Sequence, residues 1–229
     1  AGGNGWRRAT AGAREGGVVG TGYVAGREDG YRLRSGDGGG SLLRTDADGN
    51  LLWETALPAP HGMRVQQTAG GLAIGANVWV EEDGSAHQQV CLILTDHTGR
   101  AQHRQTYGGA DNDQVFDFAV TADGGYIFAG HTRSYGVANW DYLLLKVGAD
   151  REEEWHRTFG QPRGYDAEYI HDESYGVKET PDGGFVVVGG TGDEYRYSAS
   201  GSPFGPSDLW LAYVVRTDSR GKTLWEGLY

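Results

Sequence analysis

The sequence predicts an all-β fold: a β-propeller of four-stranded antiparallel blades, with four repeats in the chain. Three observations predict it. A Gly-Gly pair followed by an apolar run recurs at Gly16-Gly17, Gly70-Gly71, Gly124-Gly125 and Gly183-Gly184, at spacings of 54, 54 and 59 residues. A second segment, Thr45-Asp46-Ala47-Asp48-Gly49-Asn50-Leu51-Leu52-Trp53, returns without a gap at Thr217 to Trp225, and its copies alternate with the first signal. Helical periodicity is sustained nowhere for more than two turns. Four-stranded units of roughly 40–60 residues with a recurring aromatic are the mark of propeller blades.

The repeats run approximately 1–57, 58–107, 108–160 and 161–229, within one propeller domain of 229 residues. The third is the clearest. Its strand A is expected at Gln114 to Thr121, strand B at Tyr126 to His131, strand C at Tyr142 to Val147 and strand D at Glu154 to Phe159. Ala122-Asp123-Gly124-Gly125 joins A to B, because Asp-Gly supplies the positive φ of a tight hairpin. The C–D connection is an Asp-x-x-Gly turn. Thr95 to His103 is a copy of that segment with His103 in place of the tryptophan, and Val147 to Trp155 is a degraded copy that keeps it. Trp53, Trp155 and Trp225 recur in strand D and are expected to pack between neighbouring blades.

Thr121-Ala122-Asp123-Gly124-Gly125-Tyr126, Thr180-Pro181-Asp182-Gly183-Gly184-Phe185 and the Trp155-to-Gly160 segment together carry a likeness. The chain resembles bacterial and archaeal extracellular β-propeller proteins with T-x-D-G-G-Y…W-x-x-T-x-G-G repeats. The likeness is strong in the third and fourth repeats and weak in the first two. It implies the propeller architecture and an extracellular or periplasmic location. It implies no activity, because such repeats serve many roles.

The two ends fit the repeat phase. Leu228-Tyr229 ends a D strand, and Ala1 to Gly5 enters an A strand. Two arrangements follow: a closed four-bladed ring, or a segment of a longer propeller, including half of a ring completed by a second copy as a homodimer.

Composition excludes several classes of function. The net charge of -11 disfavours non-specific nucleic-acid binding, which needs a basic footprint. No stretch approaches the ~20 apolar residues of a membrane-spanning helix. The single cysteine, Cys91, forms no internal disulfide, and its apolar neighbours Val90 and Leu92 mark it as a buried strand residue.

Loop length points to one face. The A–B and C–D turns are short, whereas the B–C and D–A connections are long, the B–C stretches being about 23–40, 77–87, 132–139 and 192–207. Long loops on a rigid scaffold carry function. Candidate ligand-binding residues on that side are His131, Arg133, Tyr135, Trp140, Tyr169, His171, Tyr195, Arg196 and Tyr197. Aromatic rings stack on sugar faces, and arginine pairs with carboxylates or sulfates. A carbohydrate ligand, in a lectin-like binding module, is therefore the first expectation. A polysaccharide lyase is the second, with His131 or His171 as base, Tyr135 or Tyr169 as acid and Arg133 neutralising a uronate. A structural repeat that binds a protein partner is the third.

No cofactor is called for by the sequence; calcium is the one metal its residues could hold, at Asp111 and Asp113, since carboxylates are hard oxygen ligands. The acidic stretch through Asp172 and Glu173 is a second cluster of the same kind. Asp46-Ala47-Asp48-Gly49-Asn50 reads as a turn. None of the seven histidines has His-x-x-x-His or His-Glu-x-x-His spacing, so no sequence motif points to zinc. A Gly-x-Ser-x-Gly elbow is absent, and Gly36 to Gly40 lacks the Lys-Ser/Thr of a phosphate loop.

Overall fold

The computed structural model describes residues 9–12, 18–21, 30–34, 40–161, 170–193 and 210–229. Their regular elements are all β-strands, gathered into four sheets. Among the described residues, no helix is long and apolar enough to cross a membrane. The chain divides into two compact units, Ala1–Tyr107 and Gly108–Tyr229. Each unit holds two sheets.

Unit 1 begins with β1 (Ala9–Gly12), β2 (Val18–Thr21), β3 (Gly30–Arg34), β4 (Ser41–Thr45) and β5 (Leu51–Ala56), hydrogen-bonded in that order. This sheet corrects the expectation of four antiparallel strands. The stretch read as a long B–C loop contributes β3, which runs parallel to β2 and separates it from β4. Leu33 on β3 is buried in the unit 1 core, which gives the extra strand its anchor. The second sheet is β6 (His61–Thr68), β7 (Gly71–Glu82), β8 (Ser85–Thr95) and β9 (Ala101–Tyr107), all antiparallel. Here too an expected loop is strand. Residues 78–87 continue the β7–β8 ladder to Glu82 opposite Ser85. Asp83 (φ 50) and Gly84 (φ 78) close it with two positive φ values, the geometry of a type I′ hairpin turn.

Unit 2 carries two regular four-stranded antiparallel sheets. One is β10 (Asp113–Val120), β11 (Tyr126–Thr132), β12 (Asp141–Val147) and β13 (Glu153–Phe159). The other is β14 (Ile170–Glu179), β15 (Phe185–Asp193), β16 (Leu211–Thr217) and β17 (Thr223–Leu228). The expected strands of the third repeat are therefore present, with ends shifted by a residue or so.

The repeat motifs have local physical causes. In Thr121-Ala122-Asp123-Gly124-Gly125, the Thr121 hydroxyl donates to Asp123 Oδ1 at 2.6 Å, and the Gly125 amide donates to the same oxygen at 2.8 Å. Gly124 supplies φ +84, and a Cβ on Gly125 would lie 2.5 Å from the Val147 carbonyl oxygen. The same turn recurs at Thr180 to Gly184, with Thr180 donating to Asp182 at 2.6 Å. Each turn aspartate also holds a cation from the third strand of its sheet: Lys146 on Asp123 at 2.9 Å, and Arg216 on Asp182 at 2.5 Å. At the other short turn, Asp46, Asp96 and Asp218 each accept the amides two and four residues on. The calcium-like string after Asp46 is thus a hydrogen-bonded turn.

The recurring Asp-x-x-Gly and Trp signals belong to one contact. Gly99 (φ +84) sits against Trp53, where a Cβ would approach the ring to 2.7 Å, and Gly221 (φ +75) sits against Trp155 in the same way. In each unit a strand-D tryptophan of the first sheet packs under a turn glycine of the second. Only glycine fits there, for reasons of both φ and space. Trp53 and Trp155 border the unit cores. Trp225, expected to be buried like them, is 49% exposed.

The cores are built alike. In unit 1, β6 lies across β1, β2 and β3; in unit 2, β14 lies across β10, β11 and β12. Leu42, Val65, Leu72, Ile74 and Ile93 fill the first core, and Ile127, Leu144, Phe185, Val187 and Tyr213 the second. Two of the hydrogen bonds that join the unit 2 sheets are buried in the core. Ser174 Oγ donates to the Gly130 carbonyl at 2.7 Å, and Tyr142 Oη donates to the Tyr213 carbonyl at 2.9 Å.

Candidate functional site

The loop end of unit 2 is shaped by a bulge repeated in its first strands. Register slips between Val115 and Asp117 on β10, and between Ser174 and Gly176 on β14. Each bulge pushes a carbonyl toward the neighbouring strand. A Cβ on Gly130 would lie 1.7 Å from Gln114 O, and one on Gly189 would lie 1.9 Å from Glu173 O. Glycine at these two positions lets the strands close up. Just beyond, Asp113 lies opposite Thr132 and Asp172 opposite Thr191, all four buried.

Those aspartates anchor loops. Asp113 accepts from the Gly109 amide at 2.6 Å, from Ser134 Oγ at 2.9 Å and from Thr132 Oγ1. It ties the connection after β9 to the β11–β12 loop. Asp172 accepts from the Gln161 amide at 3.1 Å, holding the start of the β13–β14 connection against β14. Asp111 turns its carboxylate back on the Asn112 amide and side chain, at 2.7 and 2.9 Å.

With the loops pinned, a histidine pair forms. His131 at the end of β11 and His171 at the start of β14 are 4% and 6% exposed. His131 Nδ1 lies 3.1 Å from His171 Nε2. Glu173 Oε1 lies 3.4 Å from the first nitrogen and 2.9 Å from the second. Burial alone would push the Glu173 carboxyl up. The hydrogen bonds and charges of His131 and His171 outweigh it and hold the carboxyl down at about 2. Glu173 is thus an anion across the physiological range.

Aromatic rings wall this cluster. Trp140 stacks on His131 with ring centroids 3.9 Å apart, and lies 5.8 Å from the His171 ring. Trp210 approaches His171 from another side, at 5.8 Å. Phe116, the bulge residue of β10, meets His131 edge-on at 4.9 Å and touches Tyr175, its counterpart on β14, at 5.4 Å. The backbone holds Trp140 in place: the Asp172 amide donates to its carbonyl at 2.7 Å, and Asn139 Nδ2 donates to the Ile170 carbonyl at 2.8 Å. Arg133 is exposed, with its guanidinium 5.8 Å from the Trp140 ring, a cation–π contact.

Of the residues singled out from the sequence, His131, Arg133, Trp140 and His171 come together here. Tyr135 is drawn to the β13 side, where its ring stacks on His156 at 3.8 Å. Burial pushes its phenol well above the ordinary value, aided by Asp113 and Glu153. Tyr169, Tyr195, Arg196 and Tyr197 lie outside the described residues. Among the described residues, the grouping of three or more metal-ligand side chains is His131, His171 and Glu173; Asp111 and Asp113 are not in it.

Sequence reasoning did not single out Trp210, Phe116 and Tyr175, and it placed Glu173 in the same loop set as His171 and in an acidic cluster without pairing the two. A signal for Glu173 existed. His171 and Glu173 are two apart on a strand and share a face. Trp210 had none, since it reaches the site by lying over Gly190 and Gly192 of β15. Comparison with models of known families finds no match for the chain, and comparison with curated proteins finds none either.

Proposed function

We propose that the four sheets are blades of a β-propeller, and that the chain is an extracellular module that binds acidic carbohydrate at the loop end of unit 2. One observation carries this reading: half-buried Trp140 and exposed Trp210 flank the same buried His171, with Arg133 beside Trp140. Trp210 is 42% exposed, and Tyr175 beyond Phe116 is 53% exposed. Two indoles on a rigid base suit pyranose faces, and an exposed guanidinium suits a uronate or sulfate. The propeller reading draws on the packing of one sheet's first strand across the preceding sheet, which each unit repeats.

A glycan array followed by calorimetry tests this. Binding should favour acidic over neutral oligosaccharides. Trp140→Ala and Trp210→Ala should each weaken it about ten-fold or more, which corresponds to about 1.4 kcal/mol. Unchanged affinity in both variants would refute the site, and binding to no glycan would favour a protein partner. The array is run with calcium and with chelator, so that a calcium requirement through Asp111 and Asp113 is read at the same time.

A lyase reading is favoured by the meeting of both histidines near Arg133. It requires unsaturated uronate products from an acidic polymer, which an absorbance assay detects. His131→Ala and His171→Ala must abolish them.

A further inference from the structure

The cluster beneath the tryptophans has a chemistry that stacking on sugars does not use. His131 Nδ1, His171 Nε2 and Glu173 Oε1 form a triangle with sides of 3.1, 2.9 and 3.4 Å. We propose that these three atoms are the protein ligands of a site for a borderline divalent cation, zinc being the physiological choice and cobalt its spectroscopic stand-in.

Geometry is the first argument. Zinc bonds of about 2.0–2.1 Å at tetrahedral angles set neighbouring ligand atoms about 3.3 Å apart. All three sides fall close to that edge. Three protein ligands also leave a fourth position for water or a bound group, as in open zinc sites.

Proton bookkeeping is the second. Each ring nitrogen in the triangle carries either a hydrogen or a lone pair. If both carry hydrogens, two N–H groups crowd the same carboxylate oxygen with their nitrogens only 3.1 Å apart. If one does, its single hydrogen must be shared between the carboxylate and the other imidazole, and the remaining nitrogen turns its lone pair toward a carboxylate anion. If neither does, three lone pairs converge. A cation at the centre satisfies that last arrangement completely.

Ligand type and setting agree. Two imidazoles with one carboxylate suit zinc and its neighbours rather than calcium or magnesium, which take oxygen. The two ligand-bearing strands are fixed beside the site by the Ser174–Gly130 hydrogen bond, and Trp140 and Phe116 cover His131. Glu173, with 17% of its side chain exposed, gives the cluster its edge toward solvent.

The test uses the full chain stripped with chelator and titrated without glycan, so its outcome is independent of sugar binding. Zinc is followed by calorimetry and cobalt by its visible d–d bands. One equivalent of each should bind, and zinc should raise the melting temperature. His131→Gln, His171→Gln and Glu173→Gln should each lower zinc affinity about ten-fold or more. His97→Gln, at an exposed turn, should change nothing. Should a histidine variant fail to fold, the near-isosteric Glu173→Gln decides alone. Absence of stoichiometric uptake, or equal affinity in Glu173→Gln, overturns the site and leaves a proton-sharing network with no metal.

Discussion

The loop ends of the two units are built on the same ladder yet hold their connections by different means. In the second sheet of unit 1, β7 and β8 keep pairing past Asn77 to a two-residue turn at Asp83-Gly84. Backbone pairing carries the connection all the way to its turn. In unit 2 the β11–β12 connection leaves the ladder at Thr132, and buried Asp113 gathers its donors. Counting from the bulges, the positions of Asp113 and Asp172 are taken in unit 1 by Pro60, that of His171 by Ala59 and that of Glu173 by His61. An extended hairpin satisfies its own backbone through the ladder, although this one also buries Asn77, His87 and Gln89. An irregular loop needs side chains to satisfy its backbone, and those groups bring a chemically equipped site with them.

Asp113→Ala should give the largest effect. It strips acceptors from Gly109, Thr132 and Ser134 and should cost about 3 kcal/mol in denaturant unfolding. The loss should be equal with calcium and with chelator; a loss that appears only with calcium would make the residue a metal ligand rather than a loop anchor. Pro60→Ala, at the unit 1 position, should be nearly silent.

The bulge glycines sharpen the contrast further. Gly189→Ala would drive a Cβ against Glu173 O and the Tyr142 hydroxyl, and should cost about 1–3 kcal/mol. Unit 1 already carries Ala76 at that place, so Ala76→Gly should cost about 1 kcal/mol or less. Similar losses at both sites would mean that the two bulges are equivalent after all.

A smaller effect concerns acid. Burial would raise the Asp123 carboxyl, but Thr121, Gly125 and Lys146 bring it down to about 2 from an ordinary 3.8. A depressed folded value means stability that is present above about pH 4 and is lost as pH falls toward 2. Asp123→Asn should flatten that part of the stability–pH curve only modestly, since 57% of the side chain is exposed. An unchanged curve would show that the Lys146 pair contributes nothing. The corresponding unit 1 turn, Thr68-Ala69-Gly70-Gly71, has no aspartate and should add no such slope.

Much of the fold was legible. Thr121-x-Asp123-Gly124-Gly125 encodes a turn because one hydroxyl, one carboxylate and one positive φ act within five residues. Where reading failed, the cause was pairing at a distance. Residues 78–87 looked like a polar loop, since Glu81, Glu82 and Asp83 are charged, yet each strand found its partner across the turn. The stretch before Gly40 hid a strand because β3 is anchored by Leu33 packing on Gly62, a contact between sheets. Of the site, single residues were legible and their company was not. His131 and His171 are forty positions apart, and Trp210 lies beyond a further strand.

By itself, the sequence determined the repeated strands and their short turns, because hydrophobic alternation, Asx turns and glycine φ act over a few residues. Only the tertiary structure decided that a histidine from β11, another from β14 and the neighbouring Glu173 would meet under Trp140. That meeting depends on two bulges, two close-approach glycines and two loop-anchoring aspartates acting together, and such coupling between strands of different sheets leaves no periodic trace in a linear chain.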